Sequence, residues 1–219
     1  MQRIEQVREF RKTSLQKAAN AASATPSIFV SVRQTPDPYL LIPIVSSEKR
    51  DYVPMGYLGS DVICSNASFM LPNASLYHFS VLNSSMHNSW MRAVCGRLES
   101  RYRYSNTIVY NNFAWPSDLT DEAKEELEKT GQAILDARAL HPNSSLASLY
   151  DPLTMPLELV KAHQANNKAV DKAYGYTGGD DDASRVAYLF KLYSKATSLL
   201  PVAAARRPRV RRAEPGTLI

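Results

Sequence analysis

The residues best suited to chemistry lie between Arg92 and Pro116, in the string RAVCGRLESRYRYSNTIVYNNFAWP. Arg92, Arg97, Arg101 and Arg103 stand among Tyr102, Tyr104 and Tyr110, with Tyr77 farther off, and Glu99 interrupts the basic run. A guanidinium group is planar, permanently charged and able to grip through paired hydrogen bonds. Interleaved with aromatics and amides, such groups suit a planar, anionic partner, and nucleic acid is the first candidate. Glu99-Ser100-Arg101 is the sharpest group. In the major groove of DNA a carboxylate accepts from the cytosine N4 amino group, and an arginine grips guanine O6 and N7. Residues two apart on an extended segment project the same way. Glu99 and Arg101 are therefore candidate base-reading residues for the two halves of one C·G pair. Arg97 and Arg103, expected on the same face, are candidate DNA-backbone contacts that fix the register. An ion pair on a solvated face, worth well under about 1 kcal/mol, is the plainer alternative. Spacing alone leaves both open. Lys49 and Arg50, in the donor-dense run Ser46–Asp51, are two more candidate backbone contacts, in what is equally readable as a charged turn.

No catalytic residue stands out. Pro36-Asp37 followed by Glu48-Lys49 echoes a nuclease metal site, but Arg50 stands where that pattern needs lysine. Asn111–Pro116 has the outline of the Asn-Pro-Pro-aromatic motif of amino-methyltransferases without its Pro-Pro, and no glycine-rich loop precedes it. Gly178-Gly179 follows no strand pattern and reads as a linker. His78, His87, His141 and His163 show no metal-ligand spacing with one another or with Cys64 and Cys95, so no metal site is expected. The two cysteines form no CxxC and are expected to be free thiols.

The net charge of +5 is unevenly placed, because Arg206, Arg207, Arg209, Arg211 and Arg212 all lie beyond Pro201. That Arg-, Pro- and Ala-rich tail, 201–219, is expected to be disordered. The charged N-terminus does not read as a signal peptide, and no apolar run approaches the roughly 18 residues of a membrane span. The expectation is a soluble, cytoplasmic protein with no membrane partner.

The elements that must carry these residues follow from periodicity. Ile4, Val7, Phe10 and Leu15 suggest a helix over residues 2 to 20. Ile28–Gln34 and Tyr39–Val45 read as a paired set of strands, the second demoted toward an edge by Pro43. Two short extended segments, Asp51–Leu58 and Asp61–Leu71, follow. Asn73 is a fair cap for one long helix with Leu76, Phe79, Leu82, Met86, Trp90 and Ala93 on its buried face, stopped at Gly96. From Arg97 the period becomes two, and Ile108–Tyr110 reads as a short strand. After Pro116 three helices are expected. Thr120 caps the first, Thr154-Pro156 opens the second, and the third follows a loop at Gly175–Asp182. The expected fold class is α+β: a mixed domain with short strands and one long buried helix, followed by a small helical bundle. The boundaries are 1–116, 117–200 and the tail 201–219.

Several strings together resemble one family: VSSEKRDYVP at 45–54, LNSSMH at 82–87 continuing to Trp90, GRL at 96–98, YSN at 104–106, VYNNFAWP at 109–116, LYDPLTMP at 149–156 and LVKAH at 159–163. The chain is similar, over roughly residues 5 to 200, to the C-terminal third of the MmeI-like restriction–modification enzymes and their methyltransferase-only relatives. The resemblance implies a DNA target-recognition domain followed by a C-terminal helical region. The partners it implies are double-stranded DNA and the methyltransferase domain of a longer parent polypeptide. It also implies that S-adenosylmethionine is the cofactor of that parent, an adenine-N6 methyltransferase, and that this chain holds none. In the family the variable pair after the Gly-Arg-Leu string is associated with base choice, and by position that pair is Glu99 and Arg101. Ala114 stands where the family usually shows proline, and the tail has no clear counterpart. A non-catalytic helical interaction protein that binds nucleic acid through its basic tail is the alternative.

Overall fold

The computed structural model describes residues 2–198, so the tail at 201–219 lies outside the described residues. The chain divides into two compact units, Met1–Thr35 and Pro36–Ile219. In the first, α1 (Gln2–Lys12) and α2 (Lys17–Ala21) replace the single expected helix, and a 3-10 turn, Ala22–Ala24, follows. The Arg11 guanidinium holds this unit together by donating to the carbonyls of Ala22, Thr25 and Ile28 at 3.1, 3.0 and 2.9 Å. Residues 28–34 form no strand, contrary to their β-branched composition, and Ile28, Phe29, Val30 and Val32 are exposed. A strand exists only where a neighbour takes up its ladder hydrogen bonds.

In the second unit, β1 (Tyr39–Pro43) is the centre of an antiparallel sheet, flanked by β3 (Gly56–Leu58) and β4 (Ser68–Pro72). Pro43 is tolerated in this central strand because β3 pairs only with Tyr39–Leu41, so the missing N–H falls beyond its end. The chain changes sheet at Ile44, whose N–H donates to Ala67 O at 3.0 Å while its carbonyl accepts from Tyr104 N at 2.7 Å. It continues as β2 (Val45–Ser46), one edge of a second antiparallel sheet in which β6 (Arg101–Arg103) lies between β2 and β5 (Gly96–Leu98).

The expected long helix is two, α3 (Leu76–Leu82) and α4 (Ser85–Val94). The cap is Ser75 rather than Asn73, which adopts a left-handed φ of 55° ahead of the helix. The break has a side-chain cause. Asn83 Nδ2 donates to Phe79 O at 2.9 Å and the Ser84 hydroxyl to Val81 O at 2.6 Å, while Ser84 Oγ caps the next helix by accepting from His87 N. Phe79, Leu82, Met86 and Trp90 are buried as their spacing requires, whereas Ala93 is exposed. The segment expected as a third strand, Ile108–Tyr110, lies in a π-helical turn, Asn106–Tyr110. Its Val109 is buried, and the Val109 carbonyl accepts from Trp90 Nε1 at 2.9 Å.

Thr120 caps α5 (Asp121–Ala139) by accepting from Ala123 N at 3.2 Å. A short α6 (Leu146–Leu149), α7 (Leu157–Ala173) and α8 (Asp182–Ser198) complete the described fold. Helix α5 packs on α3 and α7, and α4 packs on α8. One apolar core therefore runs from Leu40 to Leu189 across Pro116. A polar seam stitches it. Asn166 on α7 accepts from Ser80 at 2.6 Å and Thr130 at 3.0 Å, and Arg138 on α5 donates to Met55 O at 2.7 Å.

Candidate nucleic-acid interface

The segment expected to be one extended reading strand is a tight hairpin. Strands β5 (Gly96–Leu98) and β6 (Arg101–Arg103) pair antiparallel with Leu98 opposite Arg101, Arg97 opposite Tyr102 and Gly96 opposite Arg103. Glu99 and Ser100 are the two loop residues, and Glu99 has a φ of 58°. A two-residue loop changes the parity of the side chains. Directly paired residues share a face, so odd-numbered Arg97 joins even-numbered Tyr102. Arg97 thus shares the Tyr102 face of the hairpin while remaining exposed, and Arg101 and Arg103 lie on the opposite face together with Leu98. Glu-Ser carries none of the Asn-Gly or Asp-Gly signature of such turns, so composition gave no signal for it.

Strand β2 pairs with β6, Val45 opposite Arg103 and Ser46 opposite Tyr102. This register brings the loop after Ser46, with Lys49 and Arg50, beside the hairpin. Lys49 is exposed. Arg50 is half-buried and donates to Ala147 O at 3.3 Å, which ties the loop to α6. At the tip, Arg101 meets the Glu99 carboxylate at 2.8 Å, with side chains 45% and 76% exposed. An ion pair so exposed is worth well under about 1 kcal/mol and opens readily when a better partner arrives. Arg97 donates to the Ser100 carbonyl at 3.0 Å and lies 4.0 Å above the centre of the Tyr102 ring.

Two features of the basic-aromatic string have other uses. Arg92 grips Asp182 at the start of α8 with two hydrogen bonds of 2.6 Å and donates to Asp51 O at 2.9 Å, so it braces α4 against α8. The same hydrogen bonds hold the Asp182 carboxyl below its ordinary range. The tyrosines belong to the core. Tyr102 and Tyr104 are buried, the Tyr104 hydroxyl meets His87 Nε2 at 3.0 Å, and Tyr77 and Tyr110 pack around Trp115. What remains outward is a hairpin ribbon with Glu99, Arg101 and Arg103, flanked by Lys49. Among the described residues no group of His, Cys, Asp and Glu could hold a metal ion, and no helix is long and apolar enough to cross a membrane.

Residues 1–117 match the family described as MmeI, target recognition domain, and residues 119–201 match MmeI, C-terminal domain. The chain is 38% identical over 196 residues to DNA methyltransferase A of Bacillus subtilis (strain 168), a match covering 90% of this chain and 22% of that protein. A solved structure, described as the Type IIL restriction-modification enzyme MmeI in complex with DNA, is 48% identical with a TM-score of 0.86. That match covers 90% of this chain and 26% of that one. The chain therefore spans about a quarter of the length of these relatives.

Proposed function

The chain belongs to the MmeI family, and on that premise we propose that it is the sequence-specific DNA recognition part of an adenine-N6 DNA methyltransferase or restriction–modification enzyme. Its partners are double-stranded DNA and the methyltransferase domain of a longer polypeptide, acting in the cytoplasm. Residues 1–116 serve as the target-recognition domain, and residues 117–200 as the helical module that braces it. S-adenosylmethionine belongs to the methyltransferase domain of that polypeptide. Gly178-Gly179 lies in the loop before α8 rather than after a strand. The cleft between the start of α4 and α7 is lined by polar groups such as Gln164, Lys168, Asp171 and Asp180, without an aromatic face for adenine.

The observation that carries this reading is the hairpin. A two-stranded ribbon is one of the shapes the major groove admits, and this one places Glu99 in its turn with Arg101 beside it. Opening the exposed Glu99–Arg101 pair frees a carboxylate for cytosine N4 and a guanidinium for guanine O6 and N7. Lys49 and Arg103 contact the backbone on either side, and Arg50 sets the loop that carries Lys49. Selection of bound duplexes from a randomised pool tests this. Glu99→Lys combined with Arg101→Asp is expected to change the preference at one base pair, by roughly 10-fold or more, since a good bidentate contact is worth about 1–3 kcal/mol. An unchanged preference in a folded variant would exclude base reading by this pair.

A further inference from the structure

We propose that Arg97 is a positioning residue that holds the hairpin turn in its reading shape, in place of the phosphate contact its charge suggests. The proposal rests on base reading by Glu99 and Arg101. Glu99 occupies the first loop position of a two-residue turn at φ 58°, a conformation that glycine adopts freely and a residue with a side chain adopts only when its surroundings hold it there. The surroundings here form one chain of contacts that starts in the core. Tyr102 is fixed by burial and by strand partners on both sides, Ser46 and Arg97. The Arg97 guanidinium lies 4.0 Å over the Tyr102 ring centre, the geometry of a cation–π contact. From that position its NH1 reaches across the turn to the Ser100 carbonyl at 3.0 Å. Glu99 lies inside the bridge and Arg101 directly after it, so the bridge sets the direction in which both side chains leave the ribbon. Exposed on the Tyr102 face of the hairpin, Arg97 lies on the face opposite the one that Arg101 and Arg103 share.

The two roles give opposite results in the full 219-residue chain. Loss of a phosphate contact lowers the dependence of binding on salt by about one ion, uniformly across sequences. Loss of a positioning residue leaves the salt dependence and removes discrimination. Arg97→Ala is expected to reduce discrimination at the base pair read by Glu99 and Arg101 by roughly 10-fold or more, with the salt slope unchanged. Arg97→Lys, which keeps a donor and a cation for the Tyr102 face, is expected to restore much of it. NMR reads the turn without DNA: the Glu99 and Ser100 amide resonances are expected to broaden or double in Arg97→Ala and to stay single in Arg97→Lys. Unchanged turn resonances in Arg97→Ala overturn the proposal, as does a lowered salt slope with discrimination intact. A turn that loosens while the Glu99/Arg101 exchange leaves preference unchanged keeps Arg97 as the holder of the turn and removes the reading it serves.

Discussion

An arginine's role in this chain is decided by what lies within reach of its guanidinium. Four arginines in one short string look alike in sequence, and the fold sends them to three different tasks. Arg92 braces two helices, Arg97 bridges a turn, and Arg101 and Arg103 face outward. Arg138 shows the same dependence in the core. It is buried, and its acceptors are neutral oxygens: Tyr150 through Nε at 2.9 Å and again through NH2, Met55 O at 2.7 Å, and Asn83 Oδ1 at 3.5 Å. Its guanidinium also lies 5.1 Å from the Phe79 ring centre and 4.9 Å from that of Tyr150. Arg138→Ala leaves a cavity and at least two buried acceptors without donors. Orphaned acceptors cost about 1–3 kcal/mol each, so the expected loss in urea denaturation is about 3 kcal/mol or more. A loss under about 1 kcal/mol would show that the site refills with water. Glu99, Arg101 and Lys49, candidates by sequence, are exposed. Sequence gave no sign of Arg138, whose role depends on partners far away in the chain.

Elements were legible where one residue type settles them and obscure where pairing does. Thr120 and the 3–4 spacing of Leu127, Thr130, Ile134 and Ala137 are sufficient for α5 and its buried face. The α3–α4 pair read as one helix because the apolar stripe runs through the break, and only the side chains of Asn83 and Ser84 interrupt it. The hairpin read as one strand because a turn of two ordinary residues preserves alternation in sequence while reversing it in space. Residues 28–34 have strand composition without a strand's neighbours. Close approach of two helices is equally silent in sequence. Helix α5 meets α3 at Gly131, where a Cβ would stand 3.0 Å from Leu76 O and 3.2 Å from Ser80 Cβ. Gly131→Val must push backbone apart at a contact that Asn166 also ties down through Ser80 and Thr130. Overpacking of this kind costs about 1–3 kcal/mol, and a lowered urea midpoint with an unchanged slope is the expected result. Wild-type stability would mean that α5 shifts freely on α3.

At the scale of the whole unit Pro36–Ile219, the α+β class was legible from the change of period along the chain. The continuity of the core across Pro116 was not, because the contacts that create it join residues distant in sequence, such as Arg138 with Asn83 and Ser80 with Asn166. That shared core contains two buried histidines, and they set its response to acid. His87 donates from Nδ1 to Leu82 O at 3.0 Å and accepts from the Tyr104 hydroxyl. His163 donates from Nδ1 to Asn83 O at 3.2 Å and accepts from the Tyr150 hydroxyl at 2.7 Å. These partners fix the neutral Nδ1–H tautomer in both, which leaves neither ring a place for a second proton. Burial pushes both down to about 3, with the Arg138 charge adding to the effect at His163. In the unfolded chain each titrates near its ordinary value of about 6.5. Between those limits the unfolded state binds more protons, so the contribution of both rings to stability is complete above about pH 6.5 and is lost as the pH falls toward 3. Each histidine contributes a slope of up to about 1.4 kcal/mol per pH unit, so the pair is expected to remove roughly 4 kcal/mol between pH 7 and pH 5. Urea midpoints measured across that range in a buffer of constant ionic strength are the check. His87→Gln is expected to lower the absolute stability and to reduce the slope between pH 6 and pH 4.5, because one proton-linked group is then gone. A stability that stays flat from pH 7 to pH 5 would mean that both rings are protonated in the folded chain, and each Nε2–H would then donate to the tyrosine oxygen it otherwise accepts from.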